Sequence, residues 1–308
     1  MRILEAQGLR KVFRSSKQPD VEAVRGLDLH IDAGEVLAFL GANGAGKTTA
    51  IKMIAGIVVA DSGSVRVAGF DPQNDPGALR QIGAVLEGNR NLYWRLTPAE
   101  NLEYFGILRG LKRRVARRRS DELLARFSLE HKREAPVNTL SRGMQQKLAL
   151  AVALIHDPKL LLLDEPTLGL DVEAAETVKG LIREISAEGR AVLLTTHQLG
   201  VAEEIAQRVA IIDEGRIVIE GATSDLVRRF SGESFRVTVE GALDERQQAG
   251  ILGLGAWLRD GHVEYLGSPA GLYDVIEQLR PLPLVKVEKD RTNLTGVFLR
   301  TVGRQARA

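Results

Sequence analysis

The sequence predicts an α/β fold: a mixed, mostly parallel sheet covered on both faces by helices, with a small α+β domain after it. Three observations carry that expectation. The runs 35–40, 159–164 and 191–195 are short, continuous and apolar, as strands buried on both faces are. Segments at helical spacing separate them, which implies crossovers and a sheet covered on both sides. Beyond Gly232 the texture changes to short alternating strands, so the chain divides into 1–230 and 231–308, with the boundary anywhere from Ala222 to Gly232.

The elements follow in order. From Ile3 to Ile31 apolar positions alternate through Leu9, Val12, Val24, Leu27 and Leu29, which predicts an antiparallel β subdomain joined by polar residues 15–20. Residues 35–40 form a buried strand that runs into Gly41, and Thr48 to Ile57 continue as a helix. Gly63 and Gly69 punctuate a hairpin whose strand is 64–68. Residues 75–135 read as largely helical, with helices over 98–111 and 117–127, and about 88–145 form a helical subdomain. Helices over 145–155 and 174–188 alternate with the strands 159–164 and 191–195, and two strands over 208–213 and 216–220 close the first domain. In the second domain, 234–239, 262–266 and 284–288 alternate as strands.

Composition excludes several chemistries. The chain has no cysteine, which removes disulfides, thiolate metal sites and thiol nucleophiles together. Its 42 basic and 40 acidic residues leave a formal charge of +2, too little for a protein held to nucleic acid by overall charge. The longest apolar run, Leu148 to Ile155, is eight residues, against the roughly 20 that a spanning helix needs. Met1 to Gln7 lack a signal-peptide core. Work at a membrane would therefore require a partner that spans it.

The first chemical motif is Gly41-Ala-Asn-Gly-Ala-Gly46-Lys47-Thr48, a complete G-x-x-x-x-G-K-[ST] pattern between a strand and a helix. Its glycines let successive backbone N–H groups turn inward as an anion nest, so Gly41, Asn43, Gly44, Ala45 and Gly46 are candidate phosphate-binding positions. Lys47 is placed for the β- and γ-phosphates, Thr48 for Mg²⁺ and Thr49 for the α-phosphate side. The second motif, Leu160 to Leu163 followed by Asp164 and Glu165, puts two acids at the carboxyl end of a core strand, where open α/β sheets bind ligands. Asp164 suits the Mg²⁺-side carboxylate and Glu165 a general base. The third is Leu140-Ser141-Arg142-Gly143-Met144-Gln145, a serine at a helix N-terminus, which is an N-cap or an anion-facing end.

The order of these motifs, continued by Gly169-Leu-Asp171 and His197, resembles the ATP-binding cassette (ABC) ATPases over about residues 2–230. The resemblance implies the ABC type of P-loop NTPase fold, with ATP and Mg²⁺ as cofactors. It implies that Ser141 and Gly143, with Gln145 in the same segment, face nucleotide held by an opposing subunit. Asp171 would lie at that dimer seam, His197 would sense the γ-phosphate and Phe13 would stack on adenine. Two positions depart from the family pattern. Arg142 replaces a glycine, and Glu87 stands where glutamine is usual, in the loop that links Mg²⁺ to the membrane subunit; a carboxylate there accepts hydrogen bonds and can ligate the metal but cannot donate.

Residues 86–97 and the tail 294–300 look like exporter cassettes of the drug- and polysaccharide-efflux branch. The resemblance then implies an ATPase subunit at the cytoplasmic face, working as a homodimer or with a similar cassette, and driving a multi-span transmembrane permease. Tyr93 and Trp94 are candidates for gripping a helix of that partner. A rival reading is a soluble cassette ATPase acting on nucleic acid or the ribosome. Against it stand the single phosphate loop and the absence of a long coiled-coil insertion between Lys47 and Asp164. Intact Lys47, Asp164, Glu165 and His197 argue against a non-hydrolysing module. The basic run Lys112 to Arg119 lacks interleaved aromatics and reads as a solvated helix face paired with Asp121 and Glu122, so no nucleic acid is expected.

Overall fold

The structure, a computed structural model, describes residues 1–14, 19–86, 92–230, 234–259, 261–289 and 294. It divides into two compact units, Met1–Gly221 and Ala222–Ala308.

In the first unit, β1 (Arg2–Phe13) pairs antiparallel with β2 (Val21–Asp32), the antiparallel pair that the alternation predicts. Next come β3 (Val36–Leu40), α1 (Lys47–Ile54) and β4 (Ser62–Val67). Strand β4 joins the free edge of β1, giving the sheet order β2-β1-β4, and its hairpin is the tight turn at Ala68 and Gly69 closed by the antiparallel Val67–Phe70 bridge. Then follow α2 (Pro76–Arg80), β5 (Ile82–Val85), α3 (Pro98–Leu108), α4 (Arg113–Arg126), α5 (Arg142–Leu154), β6 (Leu160–Asp164), α6 (Val172–Ala187), β7 (Ala191–Thr196), α7 (Leu199–Ile205), β8 (Arg208–Asp213) and β9 (Arg216–Ala222). The second sheet has the order β5-β6-β7-β3-β8-β9.

The parallel register positions the site. Asp164 of β6 lies beside Thr195 of β7, and Thr196 lies beside Leu40 of β3, so the three strands end at one level. Every residue of β3, β6 and β7 is buried, which is why these strands read as unbroken apolar runs. Helix α1 is wedged between the two sheets. Its Ala50, Ile51, Met53 and Ile54 share one core with Leu4, Leu27 and Ile31 of the antiparallel sheet and with Phe39, Leu162 and Leu193 of the parallel one. Each such buried aliphatic side chain contributes roughly 1.5–3 kcal/mol, so the helix that begins at Lys47 is held from both sides.

Local chemistry fixes the helix starts. Thr97 and Glu100 cap α3 reciprocally, with Pro98 in its first turn. Ser141 caps α5 through Met144 N, and Asp171 caps α6 through Ala174 N. No helix among the described residues is long and apolar enough to cross a membrane.

The second unit contains α8 (Thr223–Phe230), β10 (Ser234–Val239), α9 (Glu245–Gly253), β11 (Ala256–Arg259), β12 (His262–Leu266), α10 (Pro269–Gln278) and β13 (Leu284–Lys289). Its four strands form an antiparallel sheet in the order β11-β12-β10-β13. Phe235, Val237, Val263 and Tyr265 face a core shared with Ile251 of α9 and with Leu272 and Val275 of α10.

Candidate functional site

The phosphate loop joins β3 to α1, as its motif requires. Gly46 is the N-cap of α1 at φ +106°, and a Cβ there would lie 2.3 Å from the Ala23 carbonyl oxygen. Conformation and close approach both demand glycine at this point. Lys47 is buried, and its ammonium donates to the carbonyls of Gly41 (2.7 Å) and Ala42 (3.1 Å). The cation is folded over the loop that it serves.

Asp164 ends β6 and is 5 % exposed. The Thr48 hydroxyl donates to its Oδ2 at 3.3 Å and the Thr195 hydroxyl donates to its Oδ1. These hard oxygen donors, one carboxylate and one hydroxyl close together, suit Mg²⁺, which takes few protein ligands and completes its shell with water and phosphate. Among the described residues no group of three or more His, Cys, Asp or Glu side chains could hold a metal.

Glu165 departs from regular backbone, at φ +50°. That is costly for a residue with a Cβ and persists where surrounding bonds enforce it. Here the Glu165 N–H donates to the Thr195 carbonyl at 3.1 Å and also lies 3.3 Å from its hydroxyl. The turn aims the carboxylate at His197, whose Nδ1 is 2.8 Å from Oε1, while Oε2 is buried with no partner.

These elements enclose a cavity of about 350 Å³ lined by Ala23, Asn43, Gly44, Gly46, Lys47, Thr48, Thr49, Asp164, Glu165, Leu168 and His197. It brings together the loop, both acids and the histidine that the sequence singled out. Gly41 and Ala45 lie in the same loop without lining it. A neighbouring cavity of about 640 Å³ shares Asp164, Glu165 and Leu168 and extends to Trp94, Arg142 and Gln146.

Other candidates sit apart from the loop cavity. Phe13 is exposed at the end of β1, with the Lys11 ammonium 5.7 Å from its ring centroid. The Ser141 hydroxyl accepts from Met144 N at 3.3 Å, and Gly143 lies so close to α6 that a Cβ would stand 2.8 Å from that of Ala174. Gln145 turns its amide inward, donating to the carbonyls of Val137 (3.2 Å) and Leu140 (3.1 Å). Asp171 spends a carboxylate oxygen on the cap of α6. Glu87 lies outside the described residues.

Sequence reasoning missed Thr195 and Ala23. Thr195 was visible as a polar residue closing an apolar strand two positions before His197, and it is fully buried. Ala23 carries no signal, because its backbone alone is used.

Comparison with known proteins gives a consistent picture. Residues 24–168 match the family model for "ABC transporter". The chain is 39 % identical to the ABC transporter ATP-binding protein NatA of Bacillus subtilis, over 68 % of this chain and 86 % of that one. It is 33 % identical to a Nod factor export ATP-binding protein I of Ralstonia nicotianae, over 99 % and 95 % of the two chains. The daunorubicin/doxorubicin resistance ATP-binding protein DrrA of Streptomyces peucetius is 37 % identical over 82 % and 74 %. Among solved structures, an ATP-binding subunit of an ABC transporter superposes with a TM-score of 0.65 at 32 % identity, covering 74 % of this chain and 93 % of that one. A dimeric cassette in a post-hydrolysis state with ADP and Pi superposes at 0.64 with 27 % identity, covering 71 % and 98 %.

Proposed function

The chain belongs to the ABC transporter family as its ATP-binding, ATP-hydrolysing subunit, and from that premise we propose that it powers an exporter by closing and reopening a two-cassette sandwich around ATP. The observation that carries the reading is the continuous chain of polar contacts from Thr48 through Asp164 and Thr195 to Glu165 and His197, arrayed along one wall of the phosphate-loop cavity.

The backbone N–H groups of the loop bind the phosphates, and Lys47 leaves the carbonyls of Gly41 and Ala42 to meet the β- and γ-phosphates. Thr48 and Asp164 would hold Mg²⁺, which would supply charge neutralisation for the transferring phosphoryl group. Thr195 fixes one oxygen of Asp164 and the backbone of Glu165 together, so the metal side and the base side share one support. Glu165 takes a proton from the attacking water. His197 orients the carboxylate through Nδ1, and contact with a γ-phosphate oxygen requires a second N–H, on Nε2.

The cap residues Ser141 and Gly143 and the seam residue Asp171 lie outside the cavity of their own chain, which supports a role toward nucleotide on an opposing copy. Gln145 supports that face indirectly, by tying the start of α5 to the turn before it. A transmembrane subunit at the cytoplasmic face would rest beside Tyr93 and Trp94. Both are exposed, at 49 % and 59 %, and Tyr104, Ile107 and Leu108 of α3 extend the patch. Asn101 holds Tyr93 in place by bonding both its N–H and its carbonyl. Relatives named for Nod factor export and for drug resistance support the exporter reading. The test is Glu165→Gln: turnover should fall by about 10²-fold or more while ATP-dependent dimerisation persists. Undiminished hydrolysis would remove Glu165 from the mechanism.

A further inference from the structure

The second unit ends its sheet in a strand, β13, that has one free edge among the described residues. Among the described strands β13 pairs only with β10, and all six of its residues are exposed, Val285 at 61 % and Val287 at 38 %. An exposed apolar edge strand invites pairing unless it is blunted. Lys286, Glu288 and Lys289 would blunt it against most strands, but their order makes it complementary to itself.

The registers show how. Across the sheet face away from the helices, Trp257 of β11 opposes Glu264 of β12, Glu264 opposes Arg236 of β10, and Arg236 opposes Glu288 of β13. The Trp257 indole donates to Glu264 at 3.2 Å, and Lys286 pairs with Glu288 at 2.7 Å along the strand. Charge therefore alternates in sign along the row 264–236–288 and stops at an anion on the open edge.

We propose that β13 pairs antiparallel with β13 of a second copy of this chain, centred on Val287, to form a continuous eight-stranded sheet. In that register Lys286 opposes Glu288 twice, and each contact extends the alternating row by a cation. Shifting the centre to residue 286 places Lys286 opposite itself, and a centre at 288 places Glu288 opposite itself. Like charges directly opposite destabilise a strand pair, so both alternatives are disfavoured. Registers centred between residues put the two helical layers on opposite sides of the sheet. On the helix-facing side, Val287 meets its own copy and Val285 meets the aliphatic stem of Lys289. The contact is isologous and closes at two copies; pairing β13 with the other edge strand, β11, would be heterologous and open-ended. The dimer keeps two copies of the first unit at high effective concentration whether or not nucleotide is present.

The absence of cysteine gives a clean experiment on the full chain. Val287→Cys stands opposite itself at a separation that a disulfide spans, so nucleotide-free protein in EDTA should cross-link about tenfold faster than Val285→Cys, which opposes residue 289. Lys286→Glu and Glu288→Lys should each sediment as monomers without nucleotide. Their equimolar mixture should recover the dimer, because each then opposes unlike charge. A Val287→Cys protein that cross-links no faster than Val285→Cys, or a nucleotide-free parent that sediments as a monomer, overturns the proposal. Retained ATP hydrolysis in the charge variants shows that they fold and separates this outcome from any failure of the catalytic reading.

Discussion

Nδ1 of His197 lies 2.8 Å from Oε1 of Glu165, and the second oxygen of that carboxylate is buried without a partner. An ionised carboxylate only accepts, so the ring carries a hydrogen on Nδ1. The histidine thus fixes the orientation of the carboxylate through one of its oxygens. His197→Ala should lower kcat for ATP hydrolysis by about 10²-fold, with a smaller change in KM. His197→Asn, which keeps a short donor, should recover part of that loss. Steady-state kinetics decide the point, and an alanine variant with unchanged kcat would show that orientation of Glu165 does not depend on the ring.

Thr195 is the joint between the two acids, since its hydroxyl serves Asp164 and lies 3.3 Å from the Glu165 N–H. Thr195→Val keeps the shape of the strand and removes that hydroxyl from a fully buried position. Leaving a buried carboxylate oxygen short of a donor costs about 1–3 kcal/mol. The variant should therefore unfold at lower urea and need more Mg²⁺ for half-maximal activity than its parent. Equal Mg²⁺ dependence would place Thr195 outside the site's support.

The contrast between Asp164 and Thr195 shows what a sequence exposes. The phosphate loop, the strand that ends in Asp164 and the helix after Ser141 are legible because each couples a periodic apolar run to a residue type with one chemical use. Helices α3 to α6 and the strands around them follow from the same periodicity. Strand β5 is not legible: it has four residues, includes Gly83, and earns its place in the sheet only by pairing with β6. Strand β11, with four residues, and helix α7, with seven, are short enough to leave no periodic signal either. Predicting 75–135 as largely helical missed β5 because tertiary pairing, not local pattern, decides so short a segment. The inward turn of Gln145 is invisible for a related reason. Its partners, the carbonyls of Val137 and Leu140, are set by chain path, not by residue type.

Arg142, where the family pattern has glycine, lies over Gly169. A Cβ at 169 would stand 2.5 Å from one guanidinium nitrogen, and the residue has φ +69°. The guanidinium ends an exposed, flexible side chain that can swing aside, so Gly169→Ala should destabilise mainly through backbone strain, by about 1 kcal/mol. Adding Arg142→Ala should change that loss little. Urea unfolding of the two single variants and the double variant measures the coupling, and a large recovery in the double variant would show that Arg142 is held rigidly over Gly169.

His156, in the turn between α5 and β6, sets a pH dependence separate from catalysis. Its Nε2 donates to the Ile82 carbonyl at 3.0 Å, and Nδ1 is buried with no partner. Burial disfavours the imidazolium and Arg109 adds repulsion, against a smaller pull from the Ile82 bond, so the pKa falls from 6.5 to about 4. The folded pKa lies below the unfolded one. Between the two values the unfolded chain binds more protons, so this stability is fully present above the unfolded pKa of 6.5 and is lost as pH falls toward 4. The full span is worth about 3 kcal/mol, and most of the loss should be visible between about pH 6.5 and pH 5. The depressed carboxylates, Asp157 beside Arg190 and Glu204 beside Lys179, start from ordinary values of 3.8 and 4.5 and act at lower pH. Urea unfolding at a series of pH values should show the slope in the parent and a flatter one in His156→Leu, even though the leucine leaves the Ile82 carbonyl unpaired and lowers stability throughout. An unchanged slope in that variant would assign the pH dependence to another group.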